Sequence, residues 1–286
     1  MVSVTARSDS DLPRPDSRLP GPLTKHIDVR GGGPARAGTF AFDRSDTDEV
    51  LTGWHHHDLH QVEYAMRGTV EVETRTGHYL LPPQQAVWIP AGVEHCTTIR
   101  RVSTVSVFFA PELVPDAGDR ARVLAAAPVV REMIVYGMRW PVWRTETDAA
   151  ADVFFQALAG LVSEWLDHEM PLCLPTSSDP LVCAAMAYTQ EHLADVTIVE
   201  VARAVGVSDR TLRRAFAAAT NMSWRRYLLE SRLLRAMALL SEPGPTVLDV
   251  ATEVGFDSVS AFSRAFHAYV GDAPTAYRRR VLLPSV

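Results

Sequence analysis

Between about Thr39 and Phe109, apolar and polar residues alternate in short runs. VEVET, AVWIP and TVSVFF carry the two-residue period of strands that bury one face. The intervening TGH, LPPQQ and PAGVEH supply the Gly and Pro of turns. Strands at this spacing predict a small β-barrel or sandwich. From about Pro115 to Glu169 the pattern becomes helical. Val153, Phe154, Ala157, Leu158, Leu161, Val162 and Trp165 recur at i, i+3 and i+4 as a wide apolar stripe. Packing against the barrel is its simplest use, and a homodimer surface is the alternative. The three prolines of residues 167–180 then mark a linker. Beyond them the chain is helical again, with Asp179 expected as an N-cap and Pro180 at the first helical position.

A length of 286 residues suits two domains. No stretch approaches the roughly 18 to 20 apolar residues of a membrane span, so no membrane partner is expected. The N-terminus has no apolar run after its charges and does not read as a secretory signal. Rich in Pro, Ser, Asp and Arg, residues 1 to about 24 are expected to be disordered. Cys96, Cys173 and Cys183 sit at no metal-ligand spacing, and an odd count argues against a disulfide framework. They fit a reduced, cytoplasmic setting. A net charge of −6 opposes binding to nucleic acid, but its distribution is uneven. From Leu181 onward there are 12 arginines against 10 acidic residues, whereas the preceding part has 16 basic and 24 acidic. Charge alone does not establish DNA binding.

An internal repeat of about 49 residues adds what charge lacks. VEVARAVGVSDRTLRRAF (199–216) and LDVATEVGFDSVSAFSRAF (248–266) share one plan. A short apolar helix reaches a glycine, Gly206 or Gly255. A polar cap follows, expected at Ser208 or Asp257, and a second helix ends in Ala-Phe. The glycine permits the positive φ of a sharp turn, and the cap oxygen satisfies free amides. Val201, Ala202 and Val205 are expected against Leu212 and Phe216, turning the polar face of the second helix outward. That is helix-turn-helix geometry, over about 198–219 and 247–270, which presents a recognition helix to the major groove of double-stranded DNA. The first such helix shows Arg210, Arg213 and Arg214, whose forks can read guanine or hold phosphate. The second shows Val259, Ser260, Ser263 and Arg264.

Residues 181–280 resemble the DNA-binding domain of AraC-type transcription regulators. The second copy, with Gly271, Pro274, Tyr277 and Arg278, is close to that family's signature. RRYLLESRLLRAMALL resembles its long central helix. The resemblance implies a seven-helix domain with two recognition helices in successive major grooves, contacting bases through Arg210, Arg213, Arg214, Val259, Ser260, Ser263 and Arg264. One departure is Asn221-Met222-Ser223-Trp224, where the family usually has Gly-x-Ser-Pro. Asn tolerates the left-handed conformation, so the turn is expected to survive. Trp224 leaves the start of the long helix open.

Four of the ten histidines lie in WHHHDLH (54–60). Strand alternation puts His55 and His57 on one face and His56 on the other. An HxH pair is a natural start for a metal site, and the turn IPAGVEH offers His95 as a third ligand. These blocks resemble the two cupin motifs: His55-x-His57, Gln61 and Gly68 in the first, Pro90-x-Gly92 and His95 in the second. The resemblance implies a β-barrel whose metal is held by His55, His57 and His95, with Gln61 where many cupins have glutamate. Three imidazoles and an amide suit Ni, Zn, Co or Cu better than Mg or Ca. His60 and Glu63 are reserve ligands under a different strand register.

The expected organisation is therefore multidomain. It comprises an arm (1–24), a cupin β-barrel sensor (25–112), a helical packing or dimerisation segment (113–170), a linker (171–180) and an all-α tandem helix-turn-helix domain (181–280). The expected function is regulation of transcription through operator DNA, with a small effector sensed by the barrel. A divalent transition metal is the leading effector and an organic ligand the alternative. A cupin metalloenzyme is the reading from another class, opposed by the tandem recognition helices.

Overall fold

The computed structural model describes residues 37–43, 50–144, 146–170 and 172–282. The expected arm, 1–24, lies outside them. The described residues form two compact units. The first takes those up to Arg75 and Gln84–Met170, and the second Thr76–Pro83 and those beyond Pro171.

The strands, in chain order, are β1 (Ala37–Asp43), β2 (Val50–Leu51), β3 (His60–Thr74), β4 (Gly77–Leu81), β5 (Gln85–Ile89), β6 (His95–Phe109), β7 (Arg122–Ala125), β8 (Glu169–Met170) and β9 (Cys173–Pro175). In the first unit an antiparallel sheet runs β1-β6-β3-β5-β7-β8, with β2 also on β6. The expected strand runs all fall in β3, β5 and β6. Register shifts around Arg67 interrupt the long β3–β6 pair and bend it.

Alternation along β3 gives the sheet two different faces. Val62 and Tyr64, with Trp88, Val105, Val107 and Phe109, join an apolar core against helices α1 (Pro128–Gly137) and α2 (Ala149–Trp165). Gln61 and Glu63, which alternate with them in sequence, face the other way, beside Ser106 of β6. Both faces are buried, so these polar groups need internal partners.

Two expectations for residues 113–170 are corrected. The segment is not helical throughout, because Arg122–Ala125 form β7 against β5. The apolar stripe of α2 is also rotated. Its buried residues are Ala151, Phe155, Leu158, Ala159, Val162 and Trp165, whereas Val153 is 70% exposed and Ala157 is exposed too. Asp148 sets the start of α2 by accepting from the amides of Ala150 and Ala151 and from the Trp140 indole.

In the second unit β4 pairs with β9, so a strand forms within the stretch expected as a linker. Seven helices follow among the described residues. They are α3 (Pro180–Glu191), α4 (Ile198–Ala204), α5 (Asp209–Thr220), α6 (Trp224–Leu240), α7 (Val247–Glu253), α8 (Val259–Val270) and α9 (Pro274–Leu282). Asp179 caps α3 with Pro180 at its first turn, as expected. Asn221 takes the left-handed conformation at the end of α5, with φ of 52°. Ser223 caps α6, and Trp224 begins it with a buried ring whose indole N–H donates to Thr189. The unusual tryptophan thereby fastens the central helix to α3. Among the described residues no helix is long and apolar enough to cross a membrane.

Candidate functional site

The two helix-turn-helix copies are built alike. Each first helix opens with a capping box, Thr197 with Glu200 for α4 and Thr246 with Asp249 for α7. Each reaches a glycine of positive φ, 74° at Gly206 and 80° at Gly255. Ser208 caps α5, accepting from the Thr211 amide. The cap of α8 is Ser258, accepting from Ala261, and not Asp257 as expected. The second turn is one residue longer, so equivalent positions lie 49 apart before it and 50 apart after it. The inward residues are then Leu212 and Phe216 in α5 and Phe262 and Phe266 in α8, all fully buried.

That burial decides what faces out. Arg210, Arg213 and Arg214 are exposed on α5. On α8, Ser260 and Arg264 are exposed, while Val259 and Ser263 are half-buried. Arg210, Arg213 and Arg214 correspond to Ser260, Ser263 and Arg264 at the 50-residue offset, and Asp209 to Val259. Asp209 lies 3.8 Å from the Arg213 guanidinium in an exposed pair one turn apart.

In the first unit the chain brings the predicted histidines together without a regular strand under the first two. His55 makes a single bridge to His95, with reciprocal amide-to-carbonyl bonds of 2.9 Å. The Gly92 amide donates to the His57 carbonyl, binding the second motif to the first. Ring centroids are 4.3 Å apart for His55 and His95, 5.1 Å for His57 and His95, and 6.1 Å for His55 and His57. One nitrogen from each ring lies within 4.8 Å of the others. All three residues are buried, and His56 is only half-buried.

The Nδ1 atoms share one arrangement, each facing a backbone carbonyl. The partners are Gly53 for His55 at 2.9 Å, Leu59 for His57 at 2.6 Å and Val93 for His95 at 2.9 Å. An Nδ1–H donating to a carbonyl leaves Nε2 as the nitrogen with a free lone pair. His95 Nε2 is buried and has no hydrogen-bond partner among the described residues. Burial holds His57 below the ordinary imidazole range. His95 is held well below it, by burial first and then by His55 and His57. The neutral form, which a metal requires, is therefore favoured at both.

Gln61 Oε1 lies 2.8 Å from His57 Nε2. The Gln61 amide nitrogen donates to the Glu63 carboxylate at 2.9 Å and to the Ser106 hydroxyl at 3.1 Å. Glu63 also accepts from the Ser106 and Thr104 hydroxyls. Burial pushes its pKa up against these bonds. Glu63 thus stands behind Gln61, outside the histidine group. His60 is outside it too, because its Nδ1 accepts from the Ala91 amide and its ring lies 5.0 Å from that of Trp88. The roles of Ser106 and Thr104 were missed in the sequence, although TVSVFF puts both on one strand face with Phe108.

Two family models account for most of the described chain. An AraC-like ligand-binding domain matches residues 37–167, and a helix-turn-helix domain matches 201–280. The chain belongs to the AraC family of transcription regulators. It is similar to the transcriptional regulator NimR of Escherichia coli, 27% identical over 82% of this chain and 85% of that one. The transcriptional activator RhaR of Pectobacterium atrosepticum is 44% identical over 75 residues, 26% of each chain. A solved AraC-type regulator from Chromobacterium violaceum is 27% identical, covering 38% of this chain and 97% of that one, with a TM-score of 0.36. AraC-family proteins are regulators and not enzymes, which removes the metalloenzyme alternative. The ligand-binding match covers most of the first unit, and the helix-turn-helix match lies within the second.

Proposed function

We propose that the effector is a divalent transition metal, held by His55, His57 and His95 with Gln61 as fourth ligand, and that it alters operator binding. One observation carries this reading: three buried imidazoles give Nδ1 to backbone carbonyls, while the buried Nε2 of His95 meets no partner among the described residues. Gln61 adds support. A neutral His57 that gives its Nδ1–H to Leu59 turns a lone pair toward Gln61 Oε1, so two acceptors face one another. A cation beside both relieves that conflict. A Gln61 amide turned over, with its nitrogen donating to His57, is the metal-free arrangement. The donor set lacks a directly placed carboxylate, which favours Ni, Zn, Co or Cu. The family model's own description, a ligand-binding domain, keeps an organic effector as the second reading.

For DNA, we assign Arg210, Arg213 and Arg214 of α5 and Val259, Ser260, Ser263 and Arg264 of α8 to the interface. The arginines suit guanine edges and phosphates, and Val259 suits a thymine methyl. The metal can change operator affinity only by binding the DNA-competent and incompetent states unequally.

The test is elemental analysis of the purified protein, then titration with Ni, Zn and Co and operator binding with each. Tight binding of one metal and an operator affinity that changes with it are expected. No bound metal and an unchanged affinity would remove the metal reading in favour of an organic effector. His57→Ala should leave metal-independent DNA binding intact and abolish the response. Because burial lowers the His57 and His95 pKa values, metal affinity should fall less as pH drops from about 8 to about 6.5 than it would for three ordinary imidazoles. The steeper decline should come at lower pH, as these imidazoles take up protons.

A further inference from the structure

We infer that Arg232 is a positioning residue that fixes the spacing between the two recognition helices. It lies on the central helix α6 and gives its guanidinium to three backbone carbonyls. Nε donates to Leu193 at 2.9 Å and one terminal nitrogen to Ala194 at 2.8 Å, both in the connection that enters the first helix-turn-helix. The other terminal nitrogen donates to Gly255 at 3.0 Å, in the turn of the second. One planar fork thus joins the entrance of the first motif to the turn of the second. Lysine, a point donor on a flexible stem, cannot reproduce three fixed directions.

Close packing at the same point supports the assignment. A Cβ built on Gly255 would lie 1.8 Å from the Ala194 carbonyl oxygen and 2.8 Å from the Arg232 guanidinium. The turn of the second motif is pressed against the entry of the first. The equivalent Gly206 is open, since a Cβ there meets no atom within 4 Å. The contact therefore belongs to the joint between the motifs and not to the helix-turn-helix itself. Two motifs on one DNA face must match the helical repeat of the duplex, so their separation and phase carry information beyond either helix alone.

This inference rests on the reading that both α5 and α8 contact DNA. The test uses the full-length protein, a duplex it selects from a random library, the same duplex with one base pair inserted between the half-sites, and one half-site alone. Wild-type protein should lose at least about tenfold in affinity on insertion. Arg232→Gln should bind the half-site within about twofold of wild type, which also reports folding, yet lose less than about threefold on insertion. Arg232→Lys should fall between the two, and serves if Arg232→Gln does not fold. A folded Arg232 variant that keeps the wild-type insertion penalty overturns the positioning role. A wild-type protein indifferent to the insertion overturns instead the two-helix reading on which it rests.

Discussion

The two helix-turn-helix copies share a frame and differ in what they show to solvent. Both have the capping box, the glycine turn, the serine cap and a pair of fully buried residues under the second helix. Each second helix also ends on a left-handed residue, Asn221 or Gly271. Outward, α5 carries three arginines where α8 carries two serines and one arginine. The frame is fixed by inward and capping positions, which leaves the outward positions free to diverge. The first copy is suited to charge-assisted contacts, and the second to weaker, shape-dependent ones. The turns differ as well, the first short and open, the second one residue longer and tightly packed.

The largest test of this contrast lies in the glycines. Gly206→Ala should cost about 1 kcal/mol, for a left-handed residue in open space. Gly255→Ala adds a clash with the Ala194 carbonyl and should cost about 2–4 kcal/mol. Equal losses in urea denaturation would show that the two turns are packed alike. Next come the outward residues. Arg210→Ala or Arg213→Ala should weaken specific binding by about 1–3 kcal/mol and relax preference at one base position. Ser260→Ala or Ser263→Ala should cost less than about 1 kcal/mol in the same gel-shift titration. A serine loss as large as an arginine loss would show that α8 contributes to binding as strongly as α5.

The caps give a smaller effect. Ser258→Ala and Ser208→Ala should each lower stability by about 1 kcal/mol, and Asp257→Ala should leave it nearly unchanged. A thermal melt in which Asp257→Ala is the more damaging would restore the shorter turn. Smallest is the helix end. Asn221→Gly should stabilise by a few tenths of a kcal/mol, because the 52° φ suits glycine better. A loss on this change would mean that the Asn221 side chain contributes a contact.

Features that depend on neighbours along the chain could be read from residue order. Capping oxygens, glycine turns and the 3.6-residue period act over three or four residues, so both helix-turn-helix copies and the starts of α3 and α5 were legible. The one misplaced cap, Asp257 for Ser258, came from applying the shorter turn to both copies. Alternation likewise separated His55 and His57 from His56.

Features that depend on distant partners emerged with the folded chain. The buried side of α2 was not readable, because Val153 and Ala157 are as apolar as residues on the true inner face. The sheet and α1 selected Phe155 and Ala159 instead. β7 lay hidden in a stretch read as helical, since its pairing partner β5 is some 35 residues earlier. The histidine centre joins both kinds of information. Its residues could be named from local spacing. Their common turn of Nδ1 to carbonyls, the withdrawal of His60 to Ala91, and the Gln61–Glu63–Ser106 chain required the fold. Arg232 is the extreme case: on the helix it is one arginine among several, and only the approach of Leu193, Ala194 and Gly255 gives its fork three carbonyls to hold. Local chemistry limits what a residue can do, and long-range packing decides which partner is within hydrogen-bonding reach.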